Sequence, residues 1–227
     1  MLHPVELGMA SESFLISEEL QRYLEAHAPL PDRVQRSLIT TTGEAVGDLS
    51  MMQVGVTQGA FLEMLVALLA PRFAVEVGTF TGYSALGIAR NLPEGGRLLC
   101  CDVSEEWTAI ARDHWEQAGI ADRIELRLAP AVETLQSLPA EPHVDFAFID
   151  AHKPEYIEYY EELLPRLTPG GLITVDNVLW SGNVIDTEVR DENTMALRRF
   201  NDHVTADERT VSMILPVGDG VTLIRHA

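Results

Sequence analysis

Positive charge is scarce in this chain of 227 residues: 16 Lys and Arg stand against 35 Asp and Glu, for a formal net charge of −19. A phosphate backbone would meet repulsion over most of such a surface, which argues against a nucleic-acid partner. The excess of acid suits metal ions or a cationic cofactor, and it also serves solubility. Cysteine is nearly absent. The two present, Cys100 and Cys101, are adjacent at the end of a strand-like run, poor geometry for a mutual disulfide, and they read as core thiols. No stretch approaches the roughly 20 apolar residues of a membrane span. The opening MLHPVELGMASESF lacks the basic region and apolar core of a signal peptide. The expectation is a cytoplasmic protein with no membrane partner. Repeats, low-complexity tracts and interior linkers are missing as well. What remains is 46% hydrophobic, enough to bury the core of one α/β domain, residues 1–227, with residues 1–70 a helical N-terminal extension packed on it.

The N-terminal part reads as helices. SEELQRYLEAHA begins with Ser17 as N-cap, Pro29 and Pro31 interrupt it before DRVQRSLITTTGEAVG, and a third helix covers residues 57–70. Beyond Pro71 the pattern changes to short apolar runs alternating with helical stretches. FAVEVG, GRLLCCD, RIELRLA, VDFAFID and GGLITVD are five candidate strands, with helices starting near Gly82, Ser104, Pro130 and Pro154. This alternation predicts a doubly wound parallel sheet. The ending TVSMILPVGDGVTLIRHA holds two β-rich runs joined by PVGDG without a helix, so an antiparallel hairpin closes the sheet.

In VEVGTFTGYSALGIAR the first candidate strand ends at Gly78 and a helix begins near Gly82. Glycines at such a turn let a ligand approach the backbone, with a helix N-terminus behind it. The spacing is not G-x-G-x-x-G, and Glu76 just before the turn would repel a pyrophosphate. Asp102 ends the second strand, where a carboxylate can accept ribose hydroxyls. Ribose recognition without a pyrophosphate loop points to S-adenosylmethionine, whose sulfonium and amino group suit an acidic pocket. The competing reading is that Glu76 and Asp102 only cap helices.

FIDAHKPEY places Asp150 at the carboxyl end of the fourth strand, and LITVDNVLW places Asp176 and Asn177 at the end of the fifth. Ends of neighbouring strands lie ~5 Å apart, so the three can reach a common point. Such oxygen ligands suit a hard cation such as Mg²⁺. Asp-Asn after a strand also makes an ordinary turn. Lys153, three residues after Asp150, can point back at the site as a general base, or lie solvated on the surface. His152 reads equally as a substrate contact or as exposed, and Trp180 as a substrate wall or a packing residue.

From about Met52 onward the segments VEVGTFTGYS, CDVS, FIDAHKPEY, GGLITVDNVLWSGNV and LPVGDGVTLIR resemble, in order and spacing, the cation-dependent O-methyltransferases, the group of catechol and caffeoyl-CoA O-methyltransferases. The resemblance implies a Rossmann-like methyltransferase fold with a seven-stranded sheet, and commonly a homodimer. It implies that Asp150, Asp176 and Asn177 ligate the metal and that Lys153 and Asp150 are catalytic. Val54, Glu76, Gly78, Thr79, Ser84, Asp102, Ala131 and Asp150 match cofactor-contacting positions. Three departures stand out: His152 replaces an acid found in many members, the usual GPA reads APA at residues 129–131, and the usual EGQ reads Gln58-Gly59-Ala60.

The expected activity is methyl transfer from S-adenosylmethionine to one hydroxyl of a vicinal-diol aromatic, a small phenolic acceptor, assisted by a divalent cation, most readily Mg²⁺. Alternatives are a metal-independent methyltransferase acting on another small molecule or RNA, and a non-catalytic S-adenosylmethionine-binding protein. An NAD-dependent dehydrogenase ranks last. The acids in SGNVIDTEVRDENTMALRR make a negatively charged acceptor such as a CoA ester less attractive.

Overall fold

The computed structural model describes residues 16–227, so the opening segment, the basis for expecting no signal peptide, and the first part of the 1–70 extension lie outside the described residues. The N-terminal helices are α1 (Glu18–His27), α2 (Arg33–Val46) and α3 (Val56–Leu69). Ser17 caps α1 by accepting from the Leu20 amide, as its position predicts, and Asp32 forms a reciprocal capping box with Gln35 at α2. The alternating region then supplies β1 (Phe73–Val77), α4 (Tyr83–Asn91), β2 (Arg97–Asp102), α5 (Glu105–Gln117), β3 (Ile124–Leu128), α6 (Ala131–Gln136), β4 (Val144–Ile149), α7 (Tyr156–Leu163) and β5 (Leu167–Val175). The hairpin is β6 (Thr210–Leu215) and β7 (Val221–His226). Between β5 and β6 the polar stretch that follows Asn177 folds as a 3-10 turn and a helix, α8 (Glu192–Ala206).

The seven strands form one sheet in the order β3-β2-β1-β4-β5-β7-β6. β1 through β5 pair in parallel, whereas β7 runs antiparallel to both β5 and β6. Both faces are covered, which is why the central strands read as unbroken apolar runs. Ala74, Leu98, Cys100, Phe146 and Phe148 face α2 to α5, and Val75, Leu99, Ala147, Ile149 and Ile173 face α6 to α8. Tyr156, Tyr160 and Phe200 are fully buried on the latter face, Phe200 edge-on to both tyrosines. Leu38, Leu62 and Val66 bring α2 and α3 into the other core. A buried hydroxyl pair, Thr42 Oγ1 to Thr81 Oγ1 at 2.9 Å, ties α2 to the turn after β1. Both cysteines are free and buried. Among the described residues no single helix is long and apolar enough to cross a membrane.

Candidate active site

Strand order reverses at β1: β2 and β3 step outward on one side, β4 and β5 on the other. Open α/β sheets bind ligands at this point, beyond the carboxyl ends of the strands. A cavity of about 1100 Å³ opens there.

On the β1–β2 side the chain leaves β1 at Gly78, whose φ is +91°. A Cβ there would lie 2.0 Å from the Asp150 carbonyl oxygen, so only glycine fits against the end of β4. The amides of Thr79 and Phe80 donate to Asp102 Oδ2 at 2.9 and 2.8 Å, and the Ser104 amide donates to Oδ1 at 2.8 Å. Asp102 therefore fixes the turn. Of a carboxylate's roughly four acceptor positions three are used, which leaves about one for a ligand hydroxyl on the cavity side. The capping reading and the ligand reading of Asp102 are thus compatible. Val54, Gly78, Thr79, Ser84, Asp102 and Ala131 all line the cavity, with Trp107 edge-on to Phe80 at 5.0 Å between centroids.

Glu76 is the expected site residue that the cavity wall does not include. It is fully buried under the turn, and its Oε1 has no hydrogen-bond partner. Burial pushes its carboxyl up to about 8, and the Ser84 hydroxyl and the Cys100 thiol offset only part of that. Its alternation on β1 turns it toward the core face shared with Cys100, whose thiol donates to it at 3.5 Å.

On the β4–β5 side Asp150, Lys153, Asp176 and Asn177 line the same cavity. The register Ile149↔Val175 sets the two acidic ends level. Lys153 Nζ lies 2.9 Å from Asp150 Oδ1, 5.0 Å from the Tyr156 ring centroid and 5.8 Å from that of Trp180. It is buried, so its solvated-surface reading is excluded. Asp176 is buried too, and its carboxyl lies well above the usual carboxylate range, driven first by burial and then by the Asp150 charge. The Lys153 charge and the Asn177 amide, which donates to Asp176 Oδ1 at 2.7 Å, oppose that rise. Two carboxylates this close stay ionised together when a cation sits between them. With the side-chain carbonyl that Asn177 brings to the same lining, this all-oxygen donor set fits a hard divalent ion.

Two residues at this end stand outside the sequence-based set. Gln58, on α3, donates from Nε2 to Asp176 Oδ2 at 2.6 Å and is buried. A carboxylate only accepts, so the amide oxygen must face inward, where it has no partner. Asp219, in the β6–β7 turn, accepts from the Ser181 amide at 2.5 Å and so holds the segment Trp180-Ser181-Gly182, whose φ values are 46°, 52° and 83°. A further signal lay in composition: Lys153 is the chain's single lysine.

Another grouping of possible ligands, Glu161, His203 and Asp207, lies at the ends of α7 and α8. Arg209 bridges its two carboxylates at 2.7 and 2.6 Å, and Tyr160 donates to Asp207 at 2.7 Å. Those lone pairs are committed to an ion-pair network.

The family described as O-methyltransferase matches residues 29–227. A relative named "Probable caffeoyl-CoA O-methyltransferase 2" from Dictyostelium discoideum is 37% identical over 212 residues, covering 92% of this chain and 91% of its own. The mouse protein named "Catechol O-methyltransferase domain-containing protein 1" is 37% identical over 207 residues, covering 90% of this chain and 78% of its own. Among solved structures, the O-methyltransferase from Bacillus cereus in complex with SAH superposes with a TM-score of 0.83 at 32% identity, covering 92% of this chain and 97% of that one.

Proposed function

The chain belongs to the O-methyltransferase family and is an S-adenosylmethionine-dependent enzyme of it; on that premise we propose a cytoplasmic, divalent-cation-dependent O-methyltransferase that modifies a vicinal-diol phenol. The observation that carries this reading is the placement of Asp150 and the buried Asp176 at the level ends of β4 and β5, with Lys153 2.9 Å from Asp150, in the cavity that Asp102 and Gly78 also line.

In this reading Asp102 receives a ribose hydroxyl, and the Gly78 turn lets the cofactor pass close to the backbone. Thr79, Ser84, Ala131 and Val54 form its walls, while Glu76 lies buried beneath the turn after β1. S-adenosylmethionine supplies a methyl group already activated by its sulfonium. Asp150, Asp176 and Asn177 would hold the cation, Mg²⁺ being the ion expected. Bound there, a cation would supply positive charge that makes an adjacent phenolic hydroxyl more acidic. Gln58 fixes the orientation of Asp176 through its amide. In its neutral form Lys153 is the group placed to take the hydroxyl proton at Nζ. Trp180 closes one side of the acceptor space. Since the methyl donor needs no further activation, what these residues add is alignment and proton handling, and alignment alone can supply several kcal/mol of a barrier.

The test is methyl transfer to a panel of catechols and caffeoyl esters, each with Mg²⁺ and with excess EDTA. Turnover of a vicinal diol that EDTA abolishes and Mg²⁺ restores is the expected result. Turnover indifferent to the chelator would remove the cation from the reaction.

A further inference from the structure

Resting on the reading of the site as a catechol O-methyltransferase, we infer that the acceptor half of the cavity selects by charge: it takes diols with a neutral or cationic arm and disfavours polyanionic ones such as CoA thioesters. The walls on that side are Trp180, Tyr159, Met51 and Met52 for the ring, with Glu155 and Asp219 as the charged groups outside the ligand set. A CoA arm carries several phosphate charges, and proteins meet phosphates with arginine or lysine. No arginine lines this cavity among the described residues.

The basic side chains in the cavity wall, Lys153 and His152, each face a carboxylate, and Arg190, exposed in the loop after Trp180, lies outside that wall. Lys153 is held by Asp150 at 2.9 Å, at the closed end of the site. Arg198, close to the loop after Trp180, donates to the carbonyls of Val184, Val189, Asn183 and Asp186. His152 sits 3.6 Å from Glu155, so a protonated imidazole there is already matched. Residues 1–15 contain neither Lys nor Arg. The mouth thus offers carboxylates and polar amides to an incoming arm, and the surrounding −19 net charge repels a polyanion at longer range.

The experiment compares kcat/KM, at saturating S-adenosylmethionine and Mg²⁺, for four acceptors sharing one dihydroxyphenyl ring: dopamine, 4-methylcatechol, caffeate and caffeoyl-CoA. The expected order is dopamine at or above 4-methylcatechol, then caffeate, then caffeoyl-CoA, with the last at least about tenfold below the neutral diol. Added salt should erode the dopamine advantage and narrow the caffeoyl-CoA deficit, because it screens charge and leaves shape untouched. The variant Glu155→Arg should raise the caffeoyl-CoA to 4-methylcatechol ratio by about tenfold. Caffeoyl-CoA turned over as well as or better than 4-methylcatechol would overturn the charge selection while leaving catechol methylation standing. No turnover of any of the four would overturn both.

Discussion

At the scale of single residues, the two ends of the cavity make different demands on titratable groups. At the β4–β5 end, Asp150 lies beside Asp176 and holds Lys153, so in the proposed reading its loss takes away a cation ligand and releases the lysine together. Lys153→Ala should lower kcat/KM by roughly 10²-fold, the lower end of what a positioned acid or base contributes. Asp150→Ala should cost more than that and should also raise the Mg²⁺ concentration needed for half-activation. Steady-state kinetics across a Mg²⁺ titration would check both, and an Asp150→Ala enzyme with wild-type Mg²⁺ response would remove Asp150 from the ligand set. At the cofactor end, Glu76 keeps its proton up to about pH 8 in the folded chain, whereas its ordinary value is 4.5. Between those limits the folded state binds more protons than the unfolded one, so stability falls as pH rises. The contribution is complete below about 4.5 and gone above about 8, and it is on the order of a few kcal/mol. Asp176, held high by burial and the Asp150 charge, acts with the same sign in the ligand-free protein, so thermal melts should drop between about pH 5 and pH 8, and Glu76→Gln should lessen the slope without abolishing it. The carboxyls held low, Asp207 and Glu161 beside Arg209, act below this window and with the opposite sign. Asp150, Asp176, Asn177 and Lys153 were legible in the sequence because each closes an apolar strand or opens the helix after it. Asp219 was not, since a turn acid carries no sign of what it folds back upon, and Gln58 stood out only as a departure from the usual EGQ, without a sign that it meets Asp176.

At the scale of elements, the turn between β1 and α4 is the place where one atom decides. Gly78 needs a left-handed backbone and also a bare face against the Asp150 carbonyl. Gly78→Ala meets both obstacles, and the atom in the way is backbone, which cannot swing aside as a side chain can. The expected loss is more than about 3 kcal/mol, or failure to accumulate folded protein. Urea unfolding would measure it, and a wild-type midpoint would show that β1 and β4 are not packed this tightly. Most elements here announce themselves, because strands buried on both faces leave apolar runs punctuated by Gly, Pro and Asp. α8 does not. Its buried positions Thr194, Ala196, Leu197, Phe200 and Val204 are spread among charged residues, and the polar, turn-rich segment before it hides its Asp191 cap. β5 begins earlier than its sequence suggests, at Leu167, because Pro169 and the two glycines after it are carried in the strand.

At the scale of the whole molecule, charge and apolar surface oppose each other, and that opposition bears on assembly. We propose a homodimer. α1 lies against α3 yet buries none of its own residues, so Tyr23 stays 60% exposed. On α3, Leu68 is 76% exposed and Met64, one turn earlier on the same face, is open as well. A second copy laid over α1 and α3 would remove that apolar area from water, a gain that scales with the area covered. Each copy brings a net charge of −19, so the long-range term resists the encounter. Salt shortens the reach of that repulsion to about 10 Å at 0.1 M while leaving the apolar gain in place. Association should therefore strengthen as ionic strength rises from about 0.02 M to about 0.2 M, the reverse of an interface built on ion pairs. Analytical ultracentrifugation across protein concentration and salt would read this directly. Leu68→Glu places a further charge in the middle of the patch and should shift the population to monomer with little change in the fold, because that side chain is 76% exposed. A wild-type protein that stays monomeric at every salt concentration would leave α1 and α3 without a partner of their own kind.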